Sequence, residues 1–535
     1  MSDAARTSPA LAPEAAYRRN LPARAFHALE RGFDHVFGPG ANPLRQLGAL
    51  GFWSFWIATA SGVYVYVFFD TSILGAYQSL DALMRGQPYA GGIMRSLHRY
   101  ASDAFVVVMA LHLVRELVYG RFRGFRWFSW LSGVPLVWLA IACGVGGYWL
   151  VWDQLAQFIG IATMEWFSAL PGFDMSMVRN FLDAGTLSDR FFSLLVFLHI
   201  GLPLLLLLGM WIHIQRITRA RTQPDARLGW ATLAMLVLLS LAKPALSQAP
   251  VDLSIEPARI GFDWFYLFAY PGIYRLSPAA MWCLLGGSTL LLCALPWLGA
   301  KPRPAVARVD PANCNGCGRC LADCPYEAVL LQPRTGARSR FKLAVVLPDL
   351  CAGCGVCAGA CPSSTPFRSV DVLATGIDMP QFPVGDLRAR MELAIARLAG
   401  HARVVVFGCD RGASVQGLEG DAVAVFSLPC IGMLPPSFIE YALRAGADGI
   451  MVVGCVEGDC EFRLGAEWTR ERIDGVREPH LRSSVPRERV TVLWPDHDGG
   501  NRLAVTLEGF RRQLRPRAVQ AGHAPKRKQG DTTHA

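Results

Sequence analysis

Charge is sparse over the first 300 residues of this 535-residue chain, and cysteine is nearly missing there: three of fifteen, Cys143, Cys283 and Cys293. Fifteen cysteines in a secreted chain would suggest disulfides, but twelve of these lie beyond residue 310, where metal ligation is the better reading. The first 47 residues hold no apolar core followed by an A-x-A site, so no cleavable signal peptide is expected. No nucleotide-binding glycine fingerprint, flavin motif or catalytic triad stands out.

What fills the charge-poor half is Leu, Val, Trp and Phe. Six stretches, 48–69, 101–119, 132–152, 191–213, 229–247 and 279–298, have about the length needed to cross a bilayer. Lys and Arg fix an expected orientation. The N-terminal segment, the segment after span two (Arg115, Arg121, Arg123, Arg126) and the loop after span four (Arg216, Arg219, Arg221, Arg227) are richer in them than the alternating loops. Both termini are therefore expected in the cytoplasm. The net charge of +10 reads as membrane topology plus the tail PKRKQG, not as a nucleic-acid surface. Cys143, Cys283 and Cys293 read as small packing residues within spans.

In SLHRYASDAFVVVMALHLV (96–114) His98 and His112 stand fourteen residues apart, nearly four helical turns, so both rings project from one face about 21 Å apart. FLHIGLPLLLLLGMWIHI (197–214) repeats the spacing with His199 and His213, and Gly48/Gly62 and Gly133/Gly147 share it in spans one and three. One histidine in a span could be a packing residue. Four in two matched pairs need partners, since a polar ring in lipid is costly alone. Spans two and four run the same way, so His98 is expected to face His199 near the periplasm, and His112 to face His213 near the cytoplasm. Two bis-imidazole sites suit six-coordinate haem iron, which carries electrons and has no position open for oxygen. The glycines would let flat macrocycles approach the backbone. Arg95 and Arg115 lie three residues outside the two histidines of span two, either to neutralise propionates or to snorkel.

This constellation resembles the cytochrome b subunit of quinol-oxidising cytochrome bc complexes over roughly residues 20–300. R-x-x-H before the first ligand matches as well. GYWLVWDQ (147–154) is similar to that family's G-Y-x-L-P-W-G-Q, with Val151 and Asp153 in place of Pro and Gly. FDWFYLFAY (262–270) is similar to its quinol-site P-E-W-Y-F-L-F-A-Y, with Phe262, Asp263 and Phe265 replacing Pro, Glu and Tyr. The resemblance implies two b haems and a quinone pocket beside the outer haem, with Asp263 as candidate proton carrier. An interfacial loop carboxylate is the other reading of Asp263. The family is commonly dimeric, so a homodimer is expected on that ground alone.

The cytoplasmic half opens with CNGCGRCLADCP (314–325) and CAGCGVCAGACP (351–362), both C-x₂-C-x₂-C-x₃-C-P. The pair resembles bacterial two-cluster ferredoxins, in which the fourth cysteine of each run serves the other cluster. That resemblance implies one [4Fe-4S] cluster on Cys314, Cys317, Cys320 and Cys361 and another on Cys351, Cys354, Cys357 and Cys324. C-x₂-C pairs also hold zinc; the doubled spacing and trailing prolines favour iron clusters. Further on, ARVVVFGC (402–409), AVAVFSLPC (422–430) and GIMVVGC (449–455) read as strands of a parallel α/β sheet, with helices near 386–399 and 436–446. Cys409, Cys430 and Cys455 would gather beyond the strand ends, with Cys460 as a fourth. This region, above all RAGADGIMVVGCVEGDC (444–460), resembles the delta subunit of methyl-viologen-reducing hydrogenases. The resemblance implies a [2Fe-2S] cluster and a partner of the heterodisulfide-reductase type. Gly412 replaces a cysteine usual in that family, and Glu461 stands where His is common.

The expected architecture is multi-domain. It comprises a cytoplasmic segment 1–47, a six-helix membrane domain 48–298 (a four-helix haem bundle plus two helices) and a linker 299–308. A small α+β ferredoxin domain 309–375, an α/β parallel-sheet domain 380–515 and a disordered basic tail 516–535 follow. The expected function is electron transfer in a bacterial or archaeal-type cytoplasmic membrane, between a cytoplasmic flavin or iron–sulfur partner and the quinone pool. The alternative is an anchor and conduit with no substrate site of its own.

Overall fold

The computed structural model describes residues 21–173, 188–255, 257, 259–298, 305–334, 341–456, 458–495 and 499–514. Residues 1–20, most of the 299–308 linker and the 516–535 tail lie outside it. The chain divides into two compact units, Met1–Pro304 and Ala305–Ala535.

The first unit is helical. The expected spans correspond to α2 (Leu47–Phe68), α4 (Gly91–Val118), α5 (Trp127–Val151), α7 (Asp189–Ile214), α8 (Ala226–Ala242) and α10 (Pro278–Ala294). Helices form there because lipid offers no partner for backbone N–H and C=O groups, which a helix satisfies internally. Leu47–Phe68, Gly124–Val151 and Phe192–Ile214 are long and apolar enough to cross a membrane by themselves; α8 and α10 are apolar but shorter. Helix α4 begins ten residues before the expected span and carries Arg95, Arg99, Asp103, Arg115 and Glu116, charges that make it less apolar than the other long spans. Helices α2 and α4 pack along each other, as do α5 and α7, and α8 lies against α4. Among the described residues four further helices escape a span-based reading because they are amphipathic or short: α1 (Leu21–Phe37), α3 (Gly75–Gly86), α6 (Gln154–Phe167) and α9 (Tyr270–Arg275).

The α5–α6 junction explains one substitution in GYWLVWDQ. Trp152 takes a left-handed backbone (φ 54°) that breaks the helix. Asp153 then caps α6 by accepting from the Ala156 amide at 3.0 Å. Its other oxygen accepts from Gln248 N at 2.9 Å, pinning the long loop that follows α8.

Among its described residues the second unit contains two small antiparallel ladders and one parallel sheet. Strand β1 (Arg308–Val309) pairs with β4 (Ile377–Asp378), and β2 (Val329–Pro333) with β3 (Lys342–Val346). The short helices α11 (Arg319–Ala322) and α12 (Val356–Ala360) carry the middle of each cysteine run. Next come α13 (Val384–Arg397), β5 (Val404–Cys409), β6 (Val423–Leu428), α14 (Ser437–Ala445), β7 (Gly449–Val453), α15 (Gly465–Asp474), β8 (Val490–Leu493) and α16 (Gly500–Gln513). The parallel sheet has order β6-β5-β7-β8, with Val406 opposite both Val425 and Met451. Three strands match the expected ones. The fourth, VTVL, is too short and too bare of flanking signals to read from sequence.

The expected boundary at 375 cuts off β4, whose partner is the first strand of the ferredoxin part. One core also runs through both expected domains: Cys320, Cys324 and Cys357 join Met379, Leu387, Phe407, Met433 and Ile450. Ferredoxin and sheet are thus two layers of a single folded body.

Candidate electron-carrier sites

In the first unit each of the four glycines stands against one of the four imidazoles. A Cβ on Gly62 would come within 2.7 Å of His98 Cε1, one on Gly147 within 3.1 Å of His199 Cε1, and one on Gly133 within 3.1 Å of His213 Cε1. Gly48 is matched to His112 at 4.0 Å. The four helices α2, α4, α5 and α7 therefore meet at two levels, each with two histidines and two glycines. The His98 and His199 rings are edge to face with centroids 6.1 Å apart. Two metal–nitrogen bonds of about 2 Å plus the half-width of each ring span that distance. His213 lies within electrostatic reach of His112 at the other level. These residues fit an iron held between imidazoles, flanked by glycine faces bare of Cβ.

Backbone and hydroxyl partners orient two of the rings. His98 Nδ1 is 2.7 Å from the Ala58 carbonyl, which can only accept, so the ring proton sits on Nδ1 and Nε2 keeps its lone pair. His213 Nδ1 is 3.1 Å from Ser132 Oγ, whose own hydrogen goes to the Phe128 carbonyl at 2.7 Å. The serine thus accepts from Nδ1 and likewise leaves Nε2 free as a ligand.

Arg95 turns away from the His98 level: its guanidinium donates to Ser247 Oγ at 2.6 Å. Ser96 Oγ accepts from the Ala245 amide, and Tyr100 donates to the Lys243 carbonyl, so this end of α4 fastens the loop after α8. Arg115 is buried in an ion pair with Glu30 of α1 at 2.8 Å, and the Tyr119 hydroxyl donates to the same carboxylate at 2.9 Å. Each expected propionate partner is thus engaged by protein groups.

Asp263 is drawn to the His98 level. It accepts from the Arg99 guanidinium and from the Tyr148 hydroxyl, while its other oxygen accepts from Phe265 N at 2.8 Å. Arg99 adjoins His98 and Tyr148 adjoins Gly147. Arg99 also forks onto Asp103, 3.2 Å to each oxygen, and lies over the Tyr148 ring at 4.7 Å. Burial opposes ionisation of Asp263, but the tyrosine and the arginine outweigh it and hold the carboxyl below its usual range. It stands as an anion with both oxygens engaged. A cleft of about 1020 Å³ opens nearby among Trp152, Gln157, Asp189 and Asp252, and Asp263 does not line it.

In the second unit the two cysteine runs fold alike. Gly316 and Gly353 have φ of 69° and 70°, and Gly318 and Gly355 have 79° and 77°, left-handed positions that turn each loop around its central cysteine. The fold brings Cys361 beside Cys314, Cys317 and Cys320, and Cys324 beside Cys351, Cys354 and Cys357. Burial, then these neighbours, pushes the Cys320 thiol up to about 12 and the Cys357 thiol well up, protons that metal binding would displace. Cys324, Cys351, Cys354 and Cys357 line an enclosed cavity with Tyr326 and Met379. Cys317 of the other set is exposed. This donor set fits two sulfur-ligated clusters, one deep and one near the surface.

Cys409 ends β5, while Cys430 and Cys455 stand two residues past β6 and β7. With Cys460 they close a ring in which Cys409 and Cys460 each lie beside both Cys430 and Cys455. The Cys455–Cys409 sulfurs are 3.6 Å apart. Those contacts lower the Cys409 and Cys460 thiols and raise the other two. The Ala466 amide at the start of α15 also favours the Cys460 thiolate. A Cβ on Gly465 would fall 2.3 Å from Cys430 Sγ and 3.7 Å from Cys460 Sγ, so glycine leaves the ring its space. The sulfurs stand in thiol contact, and among the described residues no group of three or more His, Cys, Asp or Glu is spread for a metal ion.

Sequence reasoning does not single out Arg99, Tyr148, Ser132 or Gly465. The signal for the first two was their adjacency to His98 and Gly147. For Ser132 and Gly465 only the folded contacts carry it.

Three family models match the chain: "Cytochrome b/b6/petB" over residues 38–221, "4Fe-4S dicluster domain" over 313–365, and "Methyl-viologen-reducing hydrogenase, delta subunit" over 404–516. A cytochrome b6 of Gracilaria tenuistipitata var. liui is 31% identical over 185 residues, 34% of this chain and 84% of that protein. A cytochrome b of Micropechis ikaheca is 26% identical over 280 residues, 48% of this chain and 74% of that one. Among solved structures, a "Hyperthermophilic respiratory Complex III" matches with TM-score 0.40 and 21% identity, covering 47% of this chain and 74% of that one.

Proposed function

The chain belongs to the cytochrome b family, and from that premise we propose that it links a cytoplasmic iron–sulfur or flavin enzyme to the quinone pool. It is a multi-pass membrane electron-transfer subunit with a 4Fe-4S dicluster domain and a hydrogenase-delta-like domain. Bound haem and iron–sulfur clusters would supply one-electron carriage. In this reading His98/His199 and His112/His213 hold two b haems, the eight cysteines from Cys314 to Cys361 hold two [4Fe-4S] clusters, and Cys409, Cys430, Cys455 and Cys460 hold a [2Fe-2S] cluster. The termini and clusters face the cytoplasm, next to a heterodisulfide-reductase-like partner; the complex is a homodimer.

The observation that carries the quinone reading is the Arg99–Asp263–Tyr148 cluster at the His98 level. Quinone reduction takes two electrons and two protons, and this cluster offers a cation, a carboxylate and a phenol beside the periplasmic haem position. Electrons moving outward to quinone there would draw on membrane potential; electrons moving inward from quinol would conserve it. Quinone reduction in proteoliposomes under an imposed potential tests the outer site: rates independent of potential would sink it. The engaged state of Asp263 favours a second reading, a conduit without its own substrate site. An Asp263→Ala chain that keeps full quinone-linked turnover would establish that one.

A further inference from the structure

Arg472, in α15, is almost completely buried, with 1% of its surface exposed. Such burial of a guanidinium is costly without paired groups. Its Nη1 donates to the Gly432 carbonyl at 2.8 Å and its Nη2 to Asp323 Oδ2 at 2.5 Å. Gly432 lies two residues after Cys430, and Asp323 immediately precedes Cys324. One side chain thus ties the turn after Cys430 to the residue before Cys324. Asp323, 2% exposed, also takes a hydrogen bond from Arg477 at 2.6 Å, and Arg477 in turn donates to Glu471 at 2.5 Å, so two arginines and two carboxylates form one network in which Arg472 is the more deeply buried cation. The Arg472 Nε–H is buried with no hydrogen-bond partner, and Cys430 is among the groups whose charge it feels.

The backbones between the two sites are in close contact. A Cβ on Gly359, two residues after Cys357, would meet the Gly432 carbonyl oxygen at 2.2 Å. One on Gly432 would meet Gly465 Cα and Val356 Cγ2, each at 3.0 Å. The helix that carries Cys357 and the turn that follows Cys430 therefore touch at Gly359 and Gly432.

We propose that Arg472 is an electrostatic positioning residue shared by the Cys409/Cys430/Cys455/Cys460 site and the Cys324/Cys351/Cys354/Cys357 site, favouring the reduced state of both. The proposal rests on the cluster reading given above. A cluster on four thiolates is anionic and gains one negative charge on reduction. A buried cation near two such clusters raises both potentials. One cluster is oxidised as its neighbour is reduced, with no proton needed. The order within this unit is then ring site, deep ferredoxin site, and the more exposed Cys314/Cys317/Cys320/Cys361 site.

Redox titration of the purified full-length chain with its cofactors, followed by electron paramagnetic resonance, tests this. In Arg472→Gln the [2Fe-2S] midpoint and that of one [4Fe-4S] cluster fall together, while the other [4Fe-4S] and both haems hold. In Asp323→Asn, which leaves Arg472 in place and removes a negative charge, the same two centres rise. Unchanged midpoints in both variants, or equal shifts of every centre, overturn the proposal. If Arg472→Gln loses its iron, Asp323→Asn decides alone: a rise supports, no change overturns. A wild-type chain with no [2Fe-2S] signal would instead defeat the cluster reading, before any variant is made.

Discussion

Gly62 on α2 and His98 on α4 are fitted so closely that a single methyl group on the glycine would lie 2.7 Å from the imidazole. The matching of sites to ligands in the membrane unit is therefore steric as well as chemical. Gly62→Ala is expected to displace His98 and cut haem content by about half. Gly48→Ala, where the methyl meets His112 at an ordinary 4.0 Å, should retain more haem. A pyridine haemochrome assay of both variants compares them; equal retention would refute the steric account.

A methyl group at Gly465 would sit 2.3 Å from Cys430 Sγ. Gly465 is the first residue of α15, where alanine is no worse a helix former than glycine, so a purely local effect would not destabilise the helix. The expected result of Gly465→Ala is the reverse: loss of about two irons per chain and of the [2Fe-2S] signal. Iron analysis beside wild type distinguishes the two.

Gly316 combines a left-handed φ of 69° with the Lys342 carbonyl oxygen 2.2 Å from where a Cβ would stand. Gly316→Ala should cost about 1–2 kcal/mol for the backbone alone, with the clash added to it. The visible absorbance of the clusters should bleach at a lower temperature. An unchanged melt would show that the loop relaxes freely.

Asp263 supplies a pH prediction. Its carboxyl is held below the unfolded value of about 3.9, so its contribution is fully present above that value and is lost as pH falls through the lower folded one. Acid titration of the wild type should show the His98-level haem spectrum changing below about pH 4. Asp263→Asn should remove that step. A step that persists in the variant belongs to another group.

Much of the carrier set was legible because its signals are periodic. His98/His112 and His199/His213 repeat every four turns, and the two cysteine runs repeat their spacing. Cys409, Cys430 and Cys455 could be placed together because parallel strands deliver their C-terminal ends to one edge of the sheet. Arg99 and Asp263 were not legible as a pair, being 164 residues apart on a helix and a loop. Asp323 and Arg472 lie 149 apart, and each reads in sequence as an ordinary surface charge. Only the fold makes either pair a neighbour. The merging of ferredoxin and sheet was hidden for a related reason: Met379, Leu387 and Met433 look like the core of their own segments and in fact pack in a common one.

That common core counts Cys320, Cys324, Cys357, Cys409 and Cys455 among its members. In the cluster reading, iron would have to reach these buried thiols before the chain closes around them, so its delivery would be a step in maturation of the polypeptide.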